Sequence, residues 1–502
     1  MMLKKRFAPI AIIAAMCLSA MCLPMGPAHA EDTPGKQDES AKTKPDKPEK
    51  YDAKAFVNDF TGTFGGARVS YRATASETVL KNDKDEEIAS IFTVAYTRKD
   101  AGDPRTRPVT FVFNGGPGSA SLWLHMGVFG PKRIVVPSDG RHAGAAPYRI
   151  EDNAFSILDT SDLVFIDPVG TGYSKAVGKG KDEEFWGLKE DAESIAEFIR
   201  LWLTKNGRWN SPKYIAGESY GTTRAARLVA ALQGGYRGIT VNGVVLISSI
   251  LDFHTADFNK GSKMPFVGFL PTYAAAAWYH GKIDPKPDNL PAFLQEVRNF
   301  ADTEYVAALL KGNALKGEER RAVVAKLAHY TGLSETYIEQ TDLRINALRF
   351  MKQLLRDEGK VIGRYDARYT GKDYDDAGET FDNDPSGYGV DGAFVTAIND
   401  YLTRTLKVDF ERRYRILDFA PLSKWKWTES DGGWATYVNV APHLGTAMRE
   451  NADFRVFVAN GYYDLATPFH STELTMADNG IDLDRVTMSY FDGGHMMYTH
   501  EP

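Results

Sequence analysis

Gly217-Glu218-Ser219-Tyr220-Gly221 follows the apolar run Lys213 to Ala216 and opens Thr222 to Leu232, whose apolar residues recur at helical spacing. A serine between a strand and a helix sits on a sharp, strained turn. Glycines are needed on both sides because side chains there would collide with the adjoining strand and helix. The serine hydroxyl then stands exposed above the sheet, where a nucleophile belongs.

Outward from this turn, β-rich runs alternate with helical patterns. Ile88 to Tyr96, Val109 to Phe113, Leu163 to Ile166, Lys213 to Ala216 and Gly243 to Ile250 read as strands; Phe185 to Thr204 and Thr222 to Leu232 read as helices. The alternation predicts an α/β sheet that is mostly parallel. From Phe253 to Val440 the pattern becomes helical, at Asn289 to Leu310, Glu318 to Thr331 and Thr341 to Asp357, with glycine-rich and acidic loops near Gly371 to Gly392. Strand character returns at Phe454 to Ala459 and Val486 to Phe491. The expected organisation is a core over 56–252, an inserted, mainly helical cap over 253–440, and a second core segment over 441–502.

Each returning strand delivers a partner for Ser219. Asp464 follows the first in Asn460-Gly461-Tyr462-Tyr463-Asp464, and His495 follows the second in Asp492-Gly493-Gly494-His495. Ser, Asp, His is the order of an α/β-hydrolase triad, in which imidazole takes the serine proton and a carboxylate fixes its tautomer. A second glycine-rich stretch, Asn114-Gly115-Gly116-Pro117-Gly118-Ser119, follows Val109 to Phe113. Such a loop can supply one oxyanion donor and the residue after the nucleophile another, which nominates the amides of Gly116 and Tyr220. A phosphate cradle is disfavoured because neither a Gly-Lys-Ser/Thr element nor a dinucleotide fingerprint follows the loop.

The 502 residues, 43% of them hydrophobic, are ample for a large core. No basic stripe interleaved with aromatics appears, so a nucleic-acid partner is not expected. Lys4-Lys5-Arg6, the apolar run Ala8 to Leu23 and Ala28-His29-Ala30 read as an export signal cleaved after Ala30. That run is too short and Pro-broken to span a membrane, so a secreted or periplasmic protein with no membrane association after cleavage is expected. Both cysteines, Cys17 and Cys22, lie within this leader. A mature chain without them has no disulfide and no thiolate chemistry. Loss of the three leader cations takes the formal charge from −6 to −9. Residues 31–55 read as a disordered linker, being largely charged, Pro, Ser, Thr and Gly. Neither a cofactor nor a metal site is expected: the acidic cluster Asp373, Asp375, Asp376, Asp382 and Asp384 reads as a solvated loop in preference to a calcium site.

Taken together, Asn114 to Ser121 with Gly130-Pro131, Asp167 to Ser174, Gly217 to Gly221, and the Asp464 and His495 loops resemble the serine carboxypeptidases, as a bacterial-type exported member of that α/β-hydrolase family. The resemblance implies release of C-terminal residues from peptide substrates through an acyl-enzyme on Ser219. It also implies that Asn114, Gly115 and Glu218 bind the substrate carboxylate, with Glu218 protonated so that it donates instead of repelling. Peptide cleavage would then favour acidic pH, and ester or amide cleavage higher pH. Glu218 as a structural acid paired with a cation stays open, as does the choice for Asp167 to Ser174 between a structural loop and a substrate-lining one.

Three features depart from the family. Val128 stands where many relatives carry a second recognition Glu, Ser119 where they often carry Cys, and no helix follows His495 before Pro502. Val128 keeps an esterase or acyltransferase on the same scaffold as an alternative. A non-catalytic binding protein retaining the fold is the alternative from another class.

Overall fold

The computed structural model describes residues 50–234, 237–428 and 437–501. The expected leader and most of the expected linker lie outside the described residues.

A single large sheet organises the chain. Its strands are β1 (Ala55–Phe64), β2 (Ala67–Lys81), β3 (Glu87–Arg98), β4 (Val109–Phe113), β5 (Asp162–Ile166), β6 (Lys213–Ser219), β7 (Gly243–Ser249), β8 (Arg455–Gly461) and β9 (Val486–Phe491). They lie in the order β1-β2-β3-β5-β4-β6-β7-β8-β9, with the short Lys175–Ala176 pairing onto β3. β1 to β3, and β3 with β5, pair antiparallel. From β5 to β9 every pairing is parallel. The parallel strands β4 and β5 are buried at every residue, as strands covered on both faces must be.

β1 and β2 were not foreseen. They form a hairpin about Gly65 and Gly66, both at positive φ, which a Gly-Gly turn accommodates without strain. β1 alternates exposed and half-buried residues. Its outer face is Ala55, Val57, Asp59, Thr61 and Thr63, and its inner face includes Asn58 and Gly62, so it lacks the apolar density that marks the inner strands.

Helices α1 (Leu188–Asn206) and α2 (Tyr220–Gln233) cover one face, where Phe198, Trp202 and Leu228 pack with Phe111 of β4. After β7 the chain leaves the sheet and builds α3 (Met264–Tyr279), α4 (Leu290–Phe300), α5 (Gly317–Thr331) and α6 (Pro385–Asp400), returning through α7 (Ala441–Glu450) to β8. α3 to α5 share an apolar core in which Tyr273 stacks on Phe350 at 4.2 Å between ring centroids, while α6 packs into the cluster that covers the sheet. α3 was not foreseen, because a helix buried almost all round carries no amphipathic period.

The acidic region near Gly371 to Gly392 differs from its expected form. α6 begins inside it, with Asp384 accepting from the Ser386 N–H at 2.9 Å as a cap. Asp375, Asp376 and Asp382 are exposed as expected, but Asp373 is half-buried with its side chain covered, 2.6 Å from the Lys352 ammonium, which also donates to the Asp375 carbonyl. A lysine thus supplies the positive charge that a cation would supply in such a loop. No group of His, Cys, Asp and Glu suited to holding a metal ion occurs among the described residues.

Candidate active site

β6 ends at Ser219 and α2 begins at Tyr220, so the serine occupies the junction itself. Its φ of 60° and ψ of −129° are costly for a residue with a side chain, typically by about 1–3 kcal/mol. The turn closes because Gly217 has no Cβ: one there would lie 2.2 Å from the Gly221 carbonyl oxygen. Thr222 Oγ1 donates to the Ser219 carbonyl at 2.7 Å and accepts from the Ile250 N–H at 2.9 Å, fastening the turn to the end of β7.

The loop after β4 lies directly on this turn. A Cβ at Gly115 would lie 2.6 Å from the Tyr220 nitrogen and 2.7 Å from the Gly221 nitrogen and the Glu218 carbonyl oxygen. Gly116, at φ 101°, adopts a backbone that side chains disfavour. This contact brings the Gly115-Gly116 backbone and the Tyr220 amide together. As the first residue of α2, Tyr220 has an N–H with no intrahelical acceptor.

Arg224 holds that contact in place, and sequence reasoning missed it. Its fully buried guanidinium donates to Asp191 of α1 at 2.6 Å and to the Asn114 carbonyl, and lies over the Phe113 and Tyr220 rings. A helical Arg four residues after Tyr220 looks like ordinary surface charge. Only the sheet order reveals that it faces inward.

Asp464 and His495 meet beyond β8 and β9. His495 Nδ1 lies 2.8 Å from Asp464 Oδ2, and both residues are buried. Asp464 Oδ1 also accepts from the Ala466 and Thr467 N–H groups at 2.8 and 2.9 Å, and Oδ2 from the Thr467 hydroxyl at 2.7 Å. Ser248 Oγ donates to the His495 carbonyl at 2.6 Å, tying this loop to β7 beside the nucleophile strand. Burial alone would lower the imidazole pKa. The charge and hydrogen bond of Asp464, with the charge of Glu218, override burial and hold it above the usual value. Among the described residues no hydrogen bond joins His495 Nε2 to Ser219 Oγ.

Glu218 is buried, and burial lifts its carboxyl to about 7. The charge of Asp464 adds to the rise, while His495, Tyr498 and Asn114 oppose it. Tyr498, which sequence reasoning also missed, donates its hydroxyl to Glu218 Oε2 at 2.7 Å. Asn114 Oδ1 accepts from the Leu124 N–H at 3.0 Å, while its buried Nδ2 approaches Glu218 closely enough to favour the ionised carboxyl but closes no full hydrogen bond. Asn114, Gly115 and Glu218 therefore share one corner beside Ser219. No cation pairs with Glu218 among the described residues. Val128 lies half-buried against the apolar cluster that also contacts Tyr498.

Asp167, at the start of the segment Asp167 to Ser174, is buried and accepts from the Ser121 N–H at 2.9 Å and the Tyr414 hydroxyl at 3.2 Å; burial lifts its carboxyl to about 7. Ser174 donates to the Asp167 carbonyl at 2.6 Å and accepts from the Phe92 N–H at 2.7 Å. These bonds knit the segment to the sheet and to the end of the early loop.

Residues 81–290 match the serine carboxypeptidase family model. That range contains the early loop and Ser219, but not Asp464 or His495. Serine carboxypeptidase-like 16 of Arabidopsis thaliana is 27% identical over 181 residues, 34% of this chain and 39% of that protein. The pheromone-processing carboxypeptidase kex1 of Penicillium rubens is 31% identical over 147 residues, 28% of this chain and 21% of that protein. The chain thus aligns with about two fifths or less of these relatives' lengths. The crystal structure of Kex1, a prohormone-processing carboxypeptidase from Saccharomyces cerevisiae, superimposes with a TM-score of 0.52 over 86% of this chain and 88% of that one, at 16% identity. The likeness establishes an α/β-hydrolase fold. The matched relatives come from plants and fungi and lend nothing to a bacterial-type assignment. The segment that bears the early loop and nucleophile turn is thus similar to the serine carboxypeptidases.

Proposed function

We propose that this protein is a serine carboxypeptidase that releases C-terminal residues from peptides. Ser219 Oγ attacks the scissile carbonyl carbon while His495 Nε2 takes its proton, and Asp464 steadies the resulting imidazolium. The Gly116 and Tyr220 N–H groups hold the oxyanion. Collapse breaks the C–N bond, His495 returns the proton to the departing amine, and the acyl-enzyme remains. Water, deprotonated by His495, then frees the acyl product and restores Ser219.

The observation that carries this reading is the pairing of a buried Glu218 carboxyl, lifted to about 7, with the unpaired Asn114 amide one residue from the nucleophile. A neutral acid and an amide both donate, which suits a substrate carboxylate, with the Gly115 backbone as the third contact. Val128 favours a second reading, an esterase or acyltransferase with the same triad. Export through the N-terminal leader, to the periplasm or the exterior, belongs to the proposal. It is supported by the leader's charge and apolar pattern.

The test uses a blocked tripeptide as free acid, as amide and as ester, with the cleaved bond located by mass spectrometry. Release of the last residue from the free acid by wild type, and not by Ser219→Ala, is expected. Cleavage of the ester alone would replace the reading with the esterase, and failure of a serine-reactive phosphonate to label Ser219 would replace it with a binding protein.

A further inference from the structure

Beyond His495 the chain runs through Met496 and a single turn over Met497–Thr499, which carries Tyr498 back beneath the nucleophile turn. Its hydroxyl donates to Glu218 Oε2 at 2.7 Å and has no other partner among the described residues. The ring rests on Gly127, where a Cβ would lie 2.5 Å from Tyr498 Cε2, so a side chain at 127 would displace it. The following residues are pinned. The Glu501 N–H donates to Ser138 Oγ at 2.9 Å, His500 Nδ1 lies 2.9 Å from the Ser138 carbonyl, and Arg133 pairs with the Glu501 carboxylate. Tyr498 is therefore held from both sides with its hydroxyl on one carboxyl oxygen.

Burial and the neighbouring Glu218 push the phenol well above its usual range, so it remains a donor at working pH. If neutral Glu218 carried its proton on Oε2, Tyr498 would have to accept it, leaving the phenol hydrogen without an acceptor. With the proton on Oε1 both groups are satisfied, and Oε1 is left free to donate.

We propose that Tyr498 is the specificity-determining partner of Glu218, a place Val128 cannot fill: its hydroxyl holds Oε2 and keeps the carboxyl proton on Oε1, where with Asn114 Nδ2 it receives the carboxylate of the substrate's last residue. This rests on the carboxypeptidase reading. Tyr498 acts through Glu218 and is a positioning residue. The groups facing Glu218 come from three directions: Tyr498 from the terminal turn, Asn114 from the early loop, and His495 with Asp464 from the loops after β9 and β8. Of these, Tyr498, Asn114 and His495 favour the ionised carboxyl, while Asp464 favours the neutral one.

Tyr498→Phe keeps the ring and removes the hydroxyl. The ratio of kcat/KM for an N-blocked dipeptide acid to that for its amide is expected to fall about tenfold, chiefly through KM. The alkaline limb of the peptide profile is expected to move to higher pH, because a donor that stabilised the ionised carboxyl is gone. In Glu218→Gln, which has no titrating proton to place, adding Tyr498→Phe should have a much smaller effect on the ratio. An unchanged ratio and limb, or acid and amide substrates falling in the same proportion, would overturn the proposal while wild-type peptide cleavage still upheld the carboxypeptidase reading. A wild type that cleaves no peptide acid would overturn both.

Discussion

Gly115→Ala places one methyl group between the early loop and the nucleophile turn. The new Cβ would begin 2.6 Å from the Tyr220 nitrogen and 2.7 Å from the Gly221 nitrogen and Glu218 oxygen. Ordinary contact starts at 3.4 Å, so the two segments must separate by about 0.8 Å. All three obstructing atoms are backbone, and none can rotate away. The displacement falls between the amides of Gly116 and Tyr220, the two intended oxyanion donors. Losing one such donor costs roughly 10²–10³ in kcat, and a misplacement of about 1 Å has a similar effect. The expected result is a drop of about 100-fold or more in kcat for an activated ester, a substrate that does not need carboxylate recognition. Overpacking should also cost about 1–3 kcal/mol of stability, read by urea unfolding. A variant that folds and turns over ester at the wild-type rate would refute the placement of the oxyanion hole between these two segments.

Arg224→Met leaves Asp191 buried without its cation and frees the Asn114 carbonyl; the loss should be about 3–5 kcal/mol by urea unfolding, with most of it recovered in Asp191→Leu/Arg224→Met. A single variant within about 1 kcal/mol of wild type would show that the pair is not what holds the early loop. Glu218→Gln should remove a pH dependence of stability. The folded carboxyl is lifted from 4.5 to about 7, so between those values the native state holds a proton that the unfolded chain has released, and wild-type stability falls as pH rises. Relative to the Gln variant the fall should reach roughly 3 kcal/mol by pH 7 and level off above it. Parallel stability curves for the two proteins would contradict the buried neutral acid.

The parallel half of the sheet was legible because β4 to β9 are short apolar runs, and the candidate site residues sit in the glycine-containing turns at the ends of β4, β6, β8 and β9. Gly217 to Gly221 could be read as a strand-to-helix turn because its glycines answer a local steric demand, here a Gly217 Cβ 2.2 Å from the Gly221 oxygen. β1 and β2 were hidden by polar alternation, and α3 by the lack of any period in a helix buried on all sides. Within the acidic stretch Asp373 departs from a solvated loop, because its counter-charge Lys352 lies 21 residues earlier on an ordinary helix. Arg224 and Tyr498 were illegible for a related reason. Arg224 reaches Asn114 across 110 residues and Tyr498 reaches Glu218 across 280, and no spacing rule spans such distances.

The most direct test of a Ser219 nucleophile beside a carboxylate-binding Glu218 is a paired pH profile of kcat/KM, for an N-blocked dipeptide acid and for its ester, with Ser219→Ala as control. His495 must be neutral in both reactions, so both profiles should fall toward acid, whereas only the peptide acid needs a protonated Glu218. The account predicts that peptide cleavage also declines above about pH 7 while ester cleavage does not, the limbs reporting the coupled Glu218 and His495 pair, and that Ser219→Ala abolishes both. Superimposable profiles, or ester cleavage through Ser219 with no peptide cleavage at any pH, would contradict it.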